Sequence, residues 1–233
     1  VPHATPVSSQ LHHRAARDGG AVLLTHYGPG GARTELSVAS FANWVDKTAN
    51  LLGELDLEPD ADVALPVLGE APAHWMAWVW PFACWRAGLS VRVASRADAA
   101  GADLAVIGPR EPAPVGDVTY ACSLDPWGRP LGDLPAGVAD FAGEALAQPD
   151  FFPGVPTDPD APAWFDHAGV RTHADVAALA SVTERVCAAA PDAATALTLL
   201  AGAVLGGGSV VLVDDPEVDA GRVAASEHAR LLP

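Results

Sequence analysis

The chain has 233 residues, half of them apolar and 18% charged, with 29 acidic against 13 basic side chains for a net charge of −16. That length supports one sizeable core, so a single domain spanning 1–233 is expected, and the composition excludes a disordered chain. So large an acidic excess argues against nucleic acid or an anionic membrane surface as partner, because both demand a basic patch. The 3 cysteines, Cys84, Cys122 and Cys187, share no metal-type spacing and suggest no disulfide frame, which fits a reducing cytoplasm. Lys47 is the sole lysine.

Taken in order, the chain opens with a predicted helix at 8–17, with no basic segment leading into an apolar one as a signal peptide would require. A hairpin follows: a strand at 21–27, the turn GPGG and a return strand at 33–36. Ser37 is placed to N-cap the next helix. There Phe41, Trp44, Val45, Thr48, Leu52 and Leu55 recur at helical spacing. The segment DVALPVL (62–68) reads as a strand.

Residues 74–88 then read HWMAWVWPFACWRAG. Their apolar run is far short of the ~20 residues that cross a bilayer, and Pro81 interrupts it before Arg86 closes it. Trp75, Trp78, Val79, Phe82 and Trp85 form one helical stripe, and Met76, Trp80, Ala83 and Ala87 form a second beside it. A helix apolar nearly all round is buried between layers. The alternative is an aromatic surface that stacks a ligand. Gly88 stands where a left-handed residue would end the helix.

Next come a strand at 89–94, a short helical Ala/Asp-rich piece and a strand at 103–108. Much of the proline of the chain falls within 109–162, which reads as long surface loops around short elements at 118–123 and 141–147. Trp127, Phe141, Phe151 and Phe152 are expected to pack against the body. A strand at 162–168 turns at Gly169, and helices are predicted at 173–190 and 193–205. The strand-like segment GGGSVVLVDD (206–215) and a helix at 218–230 follow. Helices alternating with apolar, β-branched strands imply an α/β fold with a mainly parallel sheet layered with helices on both faces.

Little in this pattern carries chemistry. The glycines at 206–208 end a helix and open a strand, the reverse of a phosphate cradle, so they read as a C-cap and tight turn. Gly28, Gly30 and Gly31 do not complete GxGxxG, and no GxSxG elbow is present. The 8 histidines include no HxxxH pair, and His12 and His13 cannot share a helical face, so no metal site is expected. The remaining candidate is the corner formed by Asp166, His167, Arg171, Thr172 and His173. It reads either as a capped polar turn or as an anion site built from Arg171 and a helix N-terminus.

The order of segments resembles the N-terminal domain of the AMP-binding, adenylate-forming superfamily of acyl-CoA synthetases, adenylation domains and luciferases. LSVASFANWVDKTANLL (36–52) is similar to that family's LTYxEL helix, with Phe41, Val45, Ala49 and Leu52 on its apolar positions and Ser40 in place of its Glu. DVALPVL, HWMAWVWPFACWRAGLSVRV and ALTLLAGAVLGGGSVVLV resemble its next strand, its buried helix and strand, and a later helix–strand pair. Arg86 takes the place of the family's Lys. The resemblance sets a TSGTTGxPKG loop between the strand at 162–166 and the helix at His173, where this chain has DHAGVRTHADV. YGPGGARTE (27–35) echoes an adenine-side motif but precedes the first matched helix. The chain also resembles a small actinobacterial family of uncharacterised proteins.

The resemblance implies a truncated adenylate-forming domain without the phosphate loop, the YGxTE motif or the catalytic-lysine domain. No catalytic residue, cofactor or metal is assigned. The expected role is a non-catalytic protein that binds an unknown small molecule or a protein partner, with homo-oligomerisation open. The alternative is a partial carboxylate-activating ligase completed by a partner chain.

Overall fold

The computed structural model describes residues 5–233. The first part of the chain forms α1 (Val7–Asp18), β1 (Val22–Gly28), β2 (Ala32–Ser37), α2 (Val38–Glu54), β3 (Val63–Ala64), α3 (Pro66–Glu70) and α4 (Trp75–Arg86). The middle contributes β4 (Val91–Arg92), β5 (Leu104–Ile107), β6 (Val118–Ala121), β7 (Ala139–Asp140) and α5 (Phe141–Leu146). The last part forms β8 (Pro162–Asp166), β9 (Gly169–Thr172), α6 (His173–Ala177), β10 (Arg185–Ala189), α7 (Ala193–Gly206), β11 (Ser209–Val213), α8 (Ala220–Ser226) and β12 (Arg230–Leu231).

The strands make two sheets rather than one. Their orders are β12-β10-β11-β1-β2 and β7-β6-β5-β3-β4-β8-β9. Pairing is parallel except within the hairpins β1–β2 and β8–β9. One apolar cluster joins the sheets: it includes Leu24 and Leu212 of the first, Val106 and Trp164 of the second, and residues of α1, α2, α4 and α7. Strand alternation distributes the rest. Val210 and Leu212 enter this shared core, while Val211 and Val213 join Val223 and Ala224 of α8 in a separate cluster.

Helix α4 occupies the middle of this arrangement, and every residue from Trp75 to Arg86 is buried. Each of its four indole N–H groups finds an acceptor on a different segment. Trp75 donates to the Pro126 carbonyl (3.2 Å), Trp78 to Pro72 (2.7 Å), Trp80 to the Cys122 sulfur (3.3 Å) and Trp85 to Ala163 (2.8 Å). Its one charge, Arg86, donates from Nε to Asp46 of α2 at 2.7 Å, and the same Asp46 oxygen lies 2.8 Å from His12 Nε2 of α1. His12 Nδ1 also lies 2.9 Å from the Ser8 carbonyl of its own helix. Burial works to raise the Asp46 carboxyl, but His12 and Arg86 outweigh it and hold it below its ordinary range.

Several sequence expectations need correction. The helix expected over 173–190 stops at Ala177, and Arg185–Ala189 is an interior strand of the first sheet. Its alternate residues serve both faces, Val186 and Ala188 in the shared core and Cys187 in the cluster under α8. Pairing with β11 over five residues overrides the helical leaning of its alanines. The strand expected over 62–68 ends at Ala64, because Pro66 cannot donate to a ladder and instead starts α3. The Ala/Asp-rich piece after β4 is a run of turns, and α8 is shorter than expected and gives way to β12. Phe141 is buried and Phe152 packs on the core, but Trp127 and Phe151 are 72% and 70% exposed.

The predicted caps form. Ser37 Oγ accepts the Ser40 N–H at 3.1 Å. Gly207 adopts the left-handed conformation (φ 82°), and Arg14 donates to the carbonyls of Ala203 (2.7 Å) and Gly207 (3.0 Å) at the end of α7. Among the described residues no helix is long and apolar enough to cross a membrane.

Trp78 tests the core reading of α4. Its ring stacks on Trp164 with centroids 5.9 Å apart and is fully buried. Trp78→Ala is expected to cost about 3–5 kcal/mol in urea unfolding, through lost burial and the cavity left behind. A variant as stable as the wild type would contradict the packing described.

Candidate functional site

In open parallel sheets, ligands occupy the crevice outside the carboxyl ends of the strands, where the strand order reverses. The second sheet reverses at β3, because the chain passes first to β4 on one side and then to β5 on the other. Two adjoining clefts open there, of about 560 and 500 Å³. Both are lined by Glu70 and Arg96. Arg110 and Glu111 complete the first, while Asp98, Asp166 and His167 are among those completing the second.

A clamp forms the floor. Arg96 Nε donates to Glu70 Oε1 (2.7 Å), and the rest of the guanidinium reaches the carbonyls of Gly108 (3.2 Å), Arg110 (2.7 Å) and Glu111 (2.9 Å). Glu70 Oε2 accepts the Gly108 N–H at 3.2 Å. A Cβ on residue 108 would crowd that oxygen and force the carboxylate to shift. Arg96 and Glu70 therefore tie the ends of α3, β4 and β5 together, and their own hydrogen-bonding capacity is largely engaged. The groups left to face a ligand are Arg110, Glu111, Asp98, Asp166 and His167. Asp98 accepts from Ser95 Oγ at 2.6 Å. Glu111 sits at a positive φ of 49°, a strained backbone at the cleft edge.

The structure divides the corner expected at 166–173. Asp166 and His167 line the second cleft, but Thr172 and His173 belong to the start of α6. Asp166 accepts from Trp164 Nε1 and from the Ala168 N–H, both at 2.8 Å. Burial works to raise its carboxyl, but those two donors, with Arg171 and His167, hold it below the ordinary range. Thr172 caps α6 in a reciprocal box with Asp175. His173 is buried edge-on to Trp85, with ring centroids 6.4 Å apart, and burial lowers its pKa.

The N–H groups that an anion would need at this helix are engaged elsewhere. Those of His173, Ala174 and Asp175 donate to Ala161 O (3.1 Å), Pro159 O (2.8 Å) and Thr172 Oγ1 (3.1 Å). An anion here would rest on Arg171, whose Nη1 is buried without a partner.

Glu70, Arg96, Arg110 and Glu111 were not singled out from the sequence. A signal existed for all four, since each stands two or three residues past the end of a strand expected at 62–68, 89–94 or 103–108. Among the described residues no group of three or more His, Cys, Asp or Glu is arranged to hold a metal ion.

No family model matches the chain. A TIGR03089 family protein of Mycobacterium tuberculosis is 37% identical over 130 residues, which cover 51% of this chain and 50% of that protein. An acyl-CoA synthetase of Brucella canis superposes with a TM-score of 0.73 at 14% identity, covering 97% of this chain and 47% of that one. This is the adenylate-forming fold. Coronafacic acid ligase from Pectobacterium brasiliense (TM-score 0.69, 11% identity) shares it over 95% of this chain and 48% of its own. So does a fatty acyl CoA synthetase of M. tuberculosis (TM-score 0.67, 14% identity), over 96% and 48%. The chain thus spans about half the length of these solved structures, and half of the curated protein it matches.

Sulfate titration tests the 166–173 corner. With the α6 N–H groups already bonded, Arg171→Ala is expected to leave the sulfate-dependent melting shift unchanged. A wild-type shift that vanishes in the variant would show an anion held by Arg171.

Proposed function

We propose that this chain is a non-catalytic derivative of the adenylate-forming fold that binds a small molecule in the cleft at the carboxyl ends of β3, β4, β5 and β8. The observation that carries this reading is the closure of β8 onto β9 through His167 and Ala168 alone. The family resemblance sets a Gly- and Thr/Ser-rich phosphate loop in that interval. Such a loop works by aiming free N–H groups and cations at an anion. Here the Ala168 N–H is bonded to the Asp166 carboxylate, which itself faces the cleft.

Charge points the same way. Glu70, Asp98, Glu111 and Asp166 line the two clefts against Arg96 and Arg110, and with Glu70 and Arg96 paired in the floor three carboxylates remain against Arg110. That lining disfavours a triphosphate and suits a neutral or cationic ligand. Lys47 offers no substitute for a catalytic lysine. From α2 its ammonium bonds Gln148 O (2.5 Å) and Asp150 (2.8 Å), where it holds the loop after α5. Three free, buried thiols at Cys84, Cys122 and Cys187 suit the reducing cytoplasm in which we place the protein.

A second reading, a carboxylate-activating ligase completed by another chain, is favoured by one observation. The adenylate-forming relatives are about twice as long as the matched region.

Pyrophosphate exchange separates the two. Losing one electrostatic donor slows an enzyme by ~10²–10³. The purified chain with Mg²⁺ and a broad panel of carboxylic acids is therefore expected to show no acid-dependent exchange of pyrophosphate into ATP. In a parallel thermal-shift screen, neutral or cationic compounds should raise the melting temperature and triphosphates should not. Robust exchange by the pure chain would overturn the non-catalytic reading, and exchange only on adding a second chain would establish the ligase.

A further inference from the structure

The carboxyl ends of the first sheet carry a feature that the cleft does not use. His26 near the end of β1 and His74 at the start of α4 are 1% and 3% exposed. Their rings meet edge to face with centroids 4.5 Å apart. His74 is the N-cap of α4, and its Nδ1 accepts the Met76 N–H at 3.2 Å. Accepting there fixes the neutral tautomer, with the lone pair on Nδ1 and the proton on Nε2. His74 Nε2 and both ring nitrogens of His26 are buried with no partner at good hydrogen-bond geometry, the Leu124 carbonyl facing His74 and Asp214 Oδ2 standing off at 3.9 Å from His26 Nε2. Buried polar atoms are so regularly partnered that three orphans on two touching rings need a reason.

We propose that His26 and His74 form an acid-sensitive latch between β1 of the first sheet and helix α4, closed while His74 is neutral and released when that ring takes a proton. The reasoning starts from the cap. A proton on Nδ1 removes the acceptor of the Met76 N–H and leaves that donor buried and unpaired. It also puts a cation at the positive end of the α4 dipole. The charge would be enclosed among apolar groups, with Trp75 stacked on the ring at 5.9 Å, and it would face the second imidazole directly.

The groups around the pair pull unequally. Against protonation stand burial and His26 of β1. In favour are Asp214, which follows β11, and Asp125 and the Leu124 carbonyl, which follow β6. Asp214 Oδ2 lies on the His26 side, 3.9 Å from Nε2, and Arg110 of the neighbouring cleft also acts on its carboxylate. Burial first and His26 second win this balance, holding His74 down to about 3.

The consequence has a definite sign. A released His74 takes up a proton as pH falls below its ordinary value of 6.5, whereas the latched ring does not until near 3. The released state therefore binds more protons across that window. The contribution of the latch is complete above about pH 6.5 and is lost progressively as the solution is acidified. The latch stands on these two rings and is independent of what the cleft binds.

The test is urea unfolding of the full chain from pH 7.5 to 4.5, for the wild type and for His74→Asn. Asparagine caps a helix as well as any residue and carries no titrating ring. The unfolding constant of the wild type should rise relative to the variant by about tenfold per pH unit below about 6.5, one proton's worth. Parallel profiles would overturn the proposal. A second measurement needs no variant: ¹⁵N spectra of the folded wild type should show His74 as the neutral Nε2–H tautomer down to pH 5. A His74 imidazolium at pH 6 in the folded protein would also overturn it.

Discussion

The structure depends on one constraint, that α4 is apolar on every side and must be covered on every side. A helix with a single apolar stripe can rest on one sheet and show its other face to water. Trp75, Trp78, Trp80 and Trp85 leave α4 no such face, so helices and strands from both sheets close around it. The indole N–H groups extend this demand into the loops. Each needs an acceptor once buried, and together they fasten segments at Pro72, Cys122, Pro126 and Ala163 to one helix. Arg86 adds a charge that Asp46 and the Phe152 carbonyl make tolerable, and His12 meets the same Asp46 oxygen, which brings α1 and α2 to the same place.

Elements that declare themselves locally were legible in the sequence. The stripe of α2, the two stripes of α4, the β1–β2 hairpin and the glycine end of α7 are each set by neighbours within a few residues. Strand β10 was not legible, because alanines near Val186 and Cys187 favour a helix until β11 and β12 pair on either side of them. The same limit governs the site. Asp166 and His167 stood out as a polar corner at a strand end. Glu70, Arg96 and Arg110 become neighbours only through the order β5-β3-β4-β8, which is a long-range property of the sheet. Trp127 and Phe151 were expected to pack inward on hydrophobicity alone. Local turn geometry decides otherwise for Trp127: the Asp125 carboxylate holds the N–H groups of Trp127 and Arg129 and turns the indole outward.

The likeness to acyl-CoA synthetases covers nearly the whole chain at identities of 11–14%, so the scaffold persists where most side chains differ. This chain's own features stand at the carboxyl ends of the strands. A salt-bridged floor at Glu70 and Arg96 ties the ends of α3, β4 and β5 together, a two-residue turn joins β8 to β9, and carboxylates outnumber guanidiniums in the lining. On the first sheet, the corresponding ends carry the buried pair His26 and His74. Both features lie where α/β folds place function.

Equilibrium binding of ATP with Mg²⁺, measured by titration calorimetry on the intact chain, tests this account most directly. The acidic cleft and the bonded turn at Asp166–Ala168 predict no saturable binding up to about 1 mM, weaker than about −4 kcal/mol. A micromolar Kd, about −8 kcal/mol, would contradict it and show that the fold has kept a nucleotide site by other means.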